Sequence, residues 1–340
     1  MSEVLQSPSG WFAIGLSEDF PREQAVPAHW FDQDLVVFRS ADDTLAALDA
    51  YCPHLGAHLG YGGTVNDGSI TCPFHGWRWA ADGTCLSVPY GNRNTPKVRV
   101  PSVPIVEQDG VVLLWRGVDS PPTWTMPRYD DQRWTEPVIM RRTMRSHPQE
   151  VLENTADLAH FRFVHQTHMM EATTEVRTEG NVFELSVHSA PDAVEPAIRL
   201  TDDVLIEGGV FCHGPGLAGA TITAKGMPIH ALQRLYATPI GNGEVNLLGL
   251  VNIRLDDNCD QAAADSLMPI LSTATIENWD RDIEIWQHKR HLRQPVLNPK
   301  ERVVWAFRRW YAQYYDGASP YVDNASLTPP SDTSAVPALA

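Results

Sequence analysis

The chain has 340 residues, of which 43% are apolar and 20% charged, with 26 Lys and Arg against 42 Asp and Glu for a net charge of −16. This balance excludes disordered, collagen-like and fibrous chains, and so acidic a surface disfavours a phosphate backbone as partner. No apolar run approaches the roughly 18 residues of a membrane helix, and Met1–Gly10 lacks the basic end and apolar core of a signal peptide.

Short strands dominate the first third. Leu35–Phe38, Thr44–Tyr51, Ser69–Cys72 and Val111–Trp115 have strand character, with turns expected at Asp67-Gly68, Asp82-Gly83 and Asp109-Gly110. Ser120-Pro121-Pro122 reads as a boundary, giving an all-β domain over 1–120 and a second domain over 121–325. In the second, Pro148–Val164 has helical character, and strands are expected at Val182–Val187, Ala231–Thr238 and Val245–Leu255. Gly208–Ala220 reads as a glycine-rich loop, and Ser272–His291 has helical spacing. The Ser/Thr/Pro/Ala-rich tail, 326–340, is expected to fray. The class is α+β.

Five cysteines, an odd count without a secretion signal, point to a reducing compartment, the cytoplasm, and to metal ligation before disulfides. Cys52-Pro53-His54 and Cys72-Pro73-Phe74-His75 each offer a thiolate and an imidazole. Such a set holds a [2Fe–2S] cluster, both Cys on one iron and both His on the other, or alternatively a zinc ion. Zinc modules usually open with two closely spaced cysteines, which this pattern lacks. Gly56 and Gly76 let the loops turn tightly. Cys85 fits a small core residue better than a further ligand, and His58 a loop residue.

A second set lies in Glu153–His165. His160 and His165 are i and i+5, some 140° apart at about 100° per residue, so both face one ion only across a bend or a helix end. Asp157, one turn before His160, is placed to accept the imidazole N–H turned away from a metal. His168 is a competing ligand. A 2-His-1-carboxylate site would need one remote acid, and Ser272–His291 offers Glu277, Asp280, Asp282 and Glu284. The apolar stripe Ile276, Trp279, Ile283 and Trp286 is bordered by Asp282, with Asp280 further off and both glutamates pointing away.

Cys72-Pro73-Phe74-His75-Gly76-Trp77-Arg78-Trp79 followed by Asp82-Gly83 resembles the Rieske module. Glu153–His165 resembles the mononuclear-iron motif of Rieske oxygenase α subunits. Asp282-Ile283-Glu284-Ile285-Trp286-Gln287-His288-Lys289, Phe307-Arg308-Arg309-Trp310-Tyr311 and Val88-Pro89-Tyr90 resemble the 3-ketosteroid 9α-hydroxylase and cholesterol 7-desaturase group. The resemblance implies a Rieske domain followed by a helix-grip domain, an antiparallel sheet with long helices. It implies a Rieske cluster on Cys52, His54, Cys72 and His75, and Fe(II) on His160, His165 and Asp282, with Asn154 near the iron. It also implies a homotrimer in which Asp157 meets His75 of the next subunit.

A one-electron cluster beside a three-ligand ferrous ion implies reductive activation of dioxygen and attack on a C–H bond or a double bond. No G-x-G-x-x-G opens a βαβ unit, so electrons are expected from a separate flavin and iron–sulfur reductase, alone or through a ferredoxin. The expected substrate is a bulky apolar molecule, a steroid, to be hydroxylated or desaturated. The alternatives are monooxygenation or O-demethylation of a smaller aromatic compound, and a non-enzymatic Rieske carrier with a lipid-binding domain.

Overall fold

The computed structural model describes residues 6–91, 95–117, 122–129, 132–166, 173–188, 205–225 and 229–315. Three small antiparallel sheets build the N-terminal region. Gly10–Leu16 pairs with Val111–Arg116, which also pairs with Ile105–Gln108. Gln24–Trp30, Gln33–Arg39, Leu45–Asp49 and Ser102–Val103 form the second sheet; Thr64–Asn66, Ser69–Thr71, Arg78–Ala80 and Cys85–Ser87 form the third. The three Asp-Gly turns fall where expected, with positive φ at Asp67, Gly68, Gly83, Asp109 and Gly110. Their core includes Val36, Phe38, Leu48, Ile70 and the fully buried Trp79.

An eight-stranded antiparallel sheet forms the remainder. Glu244–Leu255 is its hub: it pairs with Ile229–Gly241 on one side, and with Arg133–Trp134 and Val138–Arg145 on the other. Leu217–Lys225, Leu205–His213, Val182–His188 and Thr173–Glu179 continue the order. Side chains alternate across the pleat. One face, with Phe183, Leu185, Leu235, Ala237 and Leu247, packs under the helices. The other, with Leu217, Tyr236, Leu248 and Leu250, packs against Trp11, Leu16, Val111, Leu113 and Trp115. The N-terminal sheet thus shares a core with the back of the large sheet, and Thr238 Oγ1 donates to the Ala13 carbonyl at 2.6 Å.

Among the described residues four α-helices lie on the first face: α1 (Pro148–Glu153), α2 (Leu158–Val164), α3 (Gln261–Trp286) and α4 (Arg302–Tyr311). Three expectations change. The single helix over Pro148–Val164 is two helices, because Asp157 leaves helical geometry (φ −91°, ψ 88°) to cap α2. The helix expected over Ser272–His291 is α3, which starts at Gln261 after the Asp260 cap, continues through Pro269 and ends at Trp286. The loop expected over Gly208–Ala220 is strand on both sides of a tight turn at 214–216. Its glycines make room for rings: a Cβ on Gly219 would lie 2.3 Å from Phe211 Cζ. Ser120, Pro121, His168 and the tail fall outside the described residues. All five cysteines are free, and no helix among the described residues is long and apolar enough to cross a membrane.

Candidate metal centres

The two N-terminal loops have the same backbone design. The Cys52 N–H donates to the Ala57 carbonyl at 2.9 Å, and the Cys72 N–H to that of Trp77 at 2.8 Å. Gly56 and Gly76 donate to the Cys52 and Cys72 carbonyls at 2.9 and 3.0 Å, with φ of 73° and 72°. Glycine is the residue that takes this conformation without strain. The paired loops bring the two ligand imidazoles together: His54 and His75 lie 4.6 Å apart at 78°. Trp77 stacks on His54 at 4.6 Å and 12°, and its indole N–H donates to Tyr90 Oη at 2.8 Å.

Cys52 and Cys72 are buried, and burial pushes the Cys52 thiol up, with neighbouring Cys72 adding to the shift. His75 Nδ1 is buried without a hydrogen-bond partner among the described residues. Folding seldom leaves such a nitrogen orphaned unless something else takes its lone pair or proton. Two soft sulfur donors facing two imidazoles fit a Rieske cluster. Cys85 packs in the core beneath.

In the second domain α1 opens on Pro148, with His147 Nδ1 accepting from the Gln149 N–H at 3.2 Å. Asn154 follows as its cap. Asp157 Oδ1 then accepts from the N–H groups of Ala159 and His160 at 3.1 and 3.3 Å and starts α2. His165 caps the other end (φ −100°, ψ −5°), so the expected helix end separates it from His160. The acceptor for the His160 Nδ1–H is the Asp157 carbonyl rather than its carboxylate, which is occupied with capping. The bond fixes the tautomer and leaves Nε2 as the free lone pair. Burial pushes the His160 imidazole down.

Nε2 of His165 and of His160 lie 3.2 and 3.9 Å from Asp282 Oδ1. One ligand atom from each of His160, His165 and Asp282 lies within 4.8 Å of the others. Asp282 is buried on the inner face of α3, as the stripe argument places it. Asp280 instead pairs with Arg142 at 3.0 and 3.1 Å, and Glu277, Asp280 and Glu284 line an outer groove beside Phe163. Asn154 Nδ2 sits 3.1 Å from both His160 Nε2 and Asp282 Oδ2. Two imidazoles and one carboxylate on one side of an ion, with positions left open, fit non-haem Fe(II).

The family comparison agrees with both centres. The Rieske [2Fe-2S] domain model matches residues 10–104 and the 3-ketosteroid 9alpha-hydroxylase C-terminal domain model residues 115–315. This chain belongs to the Rieske oxygenases of the 3-ketosteroid 9α-hydroxylase type. A 3-ketosteroid-9-alpha-monooxygenase oxygenase component of Rhodococcus rhodochrous is 30% identical over 333 residues, covering 94% of this chain and 85% of that one. A cholesterol 7-desaturase of Hemicentrotus pulcherrimus is 27% identical over 351 residues, covering 94% and 72%. The fold matches that of dicamba monooxygenase bound to dicamba at a TM-score of 0.70 and 20% identity, covering 90% of this chain and 97% of that chain. NdmA of Pseudomonas putida CBB5 with caffeine gives 0.70 at 16% identity, covering 88% and 89%. This Rieske oxygenase is an oxidoreductase that uses a Rieske cluster and a mononuclear iron, and as an oxygenase component it draws electrons from a separate reductase.

Sequence reasoning missed an ionic network behind the iron site. Glu153, adjacent to Asn154, holds Arg308 of α4 through two bonds of 2.6 and 2.9 Å. Glu150 takes Lys289 at 2.7 Å and His291. Burial alone would raise the Glu150 carboxyl, but the His291 hydrogen bond and the Lys289 ammonium bring it down to about 2. Arg308 lies inside the Phe307–Tyr311 motif, which was the one signal available.

Proposed function

We propose that this oxygenase hydroxylates or desaturates a steroid. The observation that carries the reading is the convergence of His160, His165 and Asp282 under a sheet whose helix-side face is apolar, in a chain most of whose length is shared with steroid-oxidising relatives. When bound, the cluster supplies electrons one at a time, and the ferrous ion supplies the open positions at which dioxygen is activated. The chain's own work is positional. The Asp157 carbonyl holds the His160 ring with Nε2 inward, Asp282 brings its carboxylate from α3, and Asn154 places an amide beside both.

The division into a Rieske domain at 1–120, a catalytic domain at 121–325 and a tail at 326–340 belongs to this reading, as do a cytoplasmic setting and a flavin and iron–sulfur reductase as donor. So does a homotrimer. Among the described residues no hydrogen bond or ion pair joins His54 or His75 to Glu153–His165, and Asp157 Oδ2 has no partner. A neighbouring subunit's His75 reaching Asp157 accounts for both. Asp157→Asn keeps an oxygen for the α2 cap, so it should retain both metals yet nearly abolish product formation; normal turnover by the fully metallated variant would refute the route.

A smaller aromatic substrate and a non-enzymatic carrier are the competing readings. The carrier leaves His160, His165 and Asp282 without a role. Product analysis with purified protein, a surrogate reductase and panels of steroids and aromatic acids decides. Oxidised steroid is the expected product, and turnover of the aromatic acids alone would overturn the reading.

A further inference from the structure

On the helix-side face of the large sheet one polar pair is built into an apolar strip. Gln233 stands opposite Ala220 and Val251, and Ile222 pairs with Ala231 next to it. Above it, α3 presents Thr275, two turns before Asp282 on the same inner face, where Thr275 and Asp282 are both buried. Gln233 Nε2 donates to Thr275 Oγ1 at 2.7 Å. Thr275 Oγ1 donates its own proton to the Leu271 carbonyl at 2.7 Å. With that proton committed, Thr275 can only accept from Gln233, so the amide orientation is fixed by the bonding and is not a free choice of flip. The Gln233 carbonyl oxygen and second N–H are left over. Neither has a partner among the described residues, and Gln233, Ala220 and Ile222 are only half-buried there.

We infer that Gln233, held by Thr275, is a specificity-determining anchor for a hydroxyl at the end of the substrate remote from the oxidised carbon. The inference rests on the steroid reading above. Thr275 and Asp282 are separated by roughly 10 Å along the axis of α3, a span suited to a rigid polycyclic body. Ala220 and Ile222 give that body apolar contact, and Trp279 lies between the anchor and the metal ligand, packed on Gly249. A hydroxyl both donates to the amide oxygen and accepts from the remaining N–H. A ketone only accepts, and leaves the amide oxygen unmatched. A fixed amide therefore favours the alcohol over the ketone of the same skeleton.

The test is binding to the metal-loaded protein, read by calorimetry, with steroid pairs identical except for a hydroxyl or a ketone, one pair differing at each end of the skeleton. The wild type should prefer the alcohol of one pair by roughly tenfold. Gln233→Leu should remove that preference while ligands lacking oxygen at that end bind unchanged. Thr275→Val, which frees the amide to rotate, should weaken the preference, and Thr275→Ser should keep it; the visible spectrum of the cluster checks that each variant is folded. Equal affinity for alcohol and ketone in the wild type, or an unchanged preference in folded Gln233→Leu, overturns the anchor and leaves the steroid reading intact. Failure of every steroid to bind while aromatic acids do overturns both.

Discussion

Arg308→Met is expected to destabilise the protein more than any surface change. The Arg308 and Glu153 side chains are 4% and 7% exposed, and their two bonds tie α4 to the end of α1 that carries Asn154. Removing the guanidinium also frees the Leu292 carbonyl, which it holds at 2.7 Å, and leaves Glu153 a buried carboxylate with only Lys289 Nζ at 3.7 Å. Breaking one side of a buried pair costs about 3–5 kcal/mol. Lys289 offsets part of it, which places the expected loss near the lower end, about 3 kcal/mol. Glu153→Gln should cost a similar amount by leaving the buried Arg308 guanidinium without its counter-ion. The double variant should lose clearly less than the two singles together, since neither charge is left behind. Urea unfolding of the four proteins, followed by the visible absorbance of the cluster and by far-ultraviolet circular dichroism, measures the cycle. Single losses below about 1 kcal/mol, in the range of exposed pairs, or strict additivity would refute the buried-pair argument.

Acid should destabilise the fold in two stages. Burial lowers the His147 and His213 imidazoles to about 4, against an ordinary value of 6.5. The unfolded chain therefore takes up these protons first as pH falls, so stability drops between pH 6.5 and 4, by up to about 3 kcal/mol for each. Below 4.5 the Glu150 network adds a second loss toward pH 2. His147→Asn keeps a capping side chain for α1 and should flatten the first stage; an unchanged slope in chemical denaturation against pH would contradict the assignment. Gly249→Ala is expected to displace Trp279, because the added Cβ would lie 2.4 Å from its Cζ3 and α3 carries Asp282. Weaker retention of one iron with the cluster spectrum intact is the expected outcome, and unaltered iron binding and stability would show that the ring shifts freely.

What the sequence disclosed depended on how local each signal was. The cluster loops were legible because Cys52, His54, Cys72 and His75 sit within hairpin tips whose glycines are part of the motif. His160 and His165 were legible as a pair that needed a helix end between them, and the cap at His165 supplies it. Asp282 is remote in sequence, but it was recoverable because a carboxylate bordering the Trp279–Trp286 stripe is unusual. The strands flanking 214–216 were misread because glycine lowers strand propensity when its role is to admit a ring. α3 begins well before the expected Ser272 and runs through Pro269, which lies inside the helix where a proline usually breaks or kinks it. The Glu150–Lys289 and Glu153–Arg308 contacts were invisible, because nothing in a short acidic helix reveals which distant cation it meets. Asp157 accepts the His160 imidazole N–H as its position one turn earlier implies, but through its backbone carbonyl, because its carboxylate caps the first N–H groups of α2.

The central claim is that one chain holds a Rieske cluster and a separate ferrous ion on His160, His165 and Asp282. Iron and acid-labile sulfide per chain test it most directly, measured on the wild type and on Asp282→Ala. The expected result is about three irons and two sulfides in the wild type, falling to about two irons and two sulfides in the variant with the cluster spectrum unchanged. A wild type saturating at two irons, or a variant that keeps the third, would contradict it.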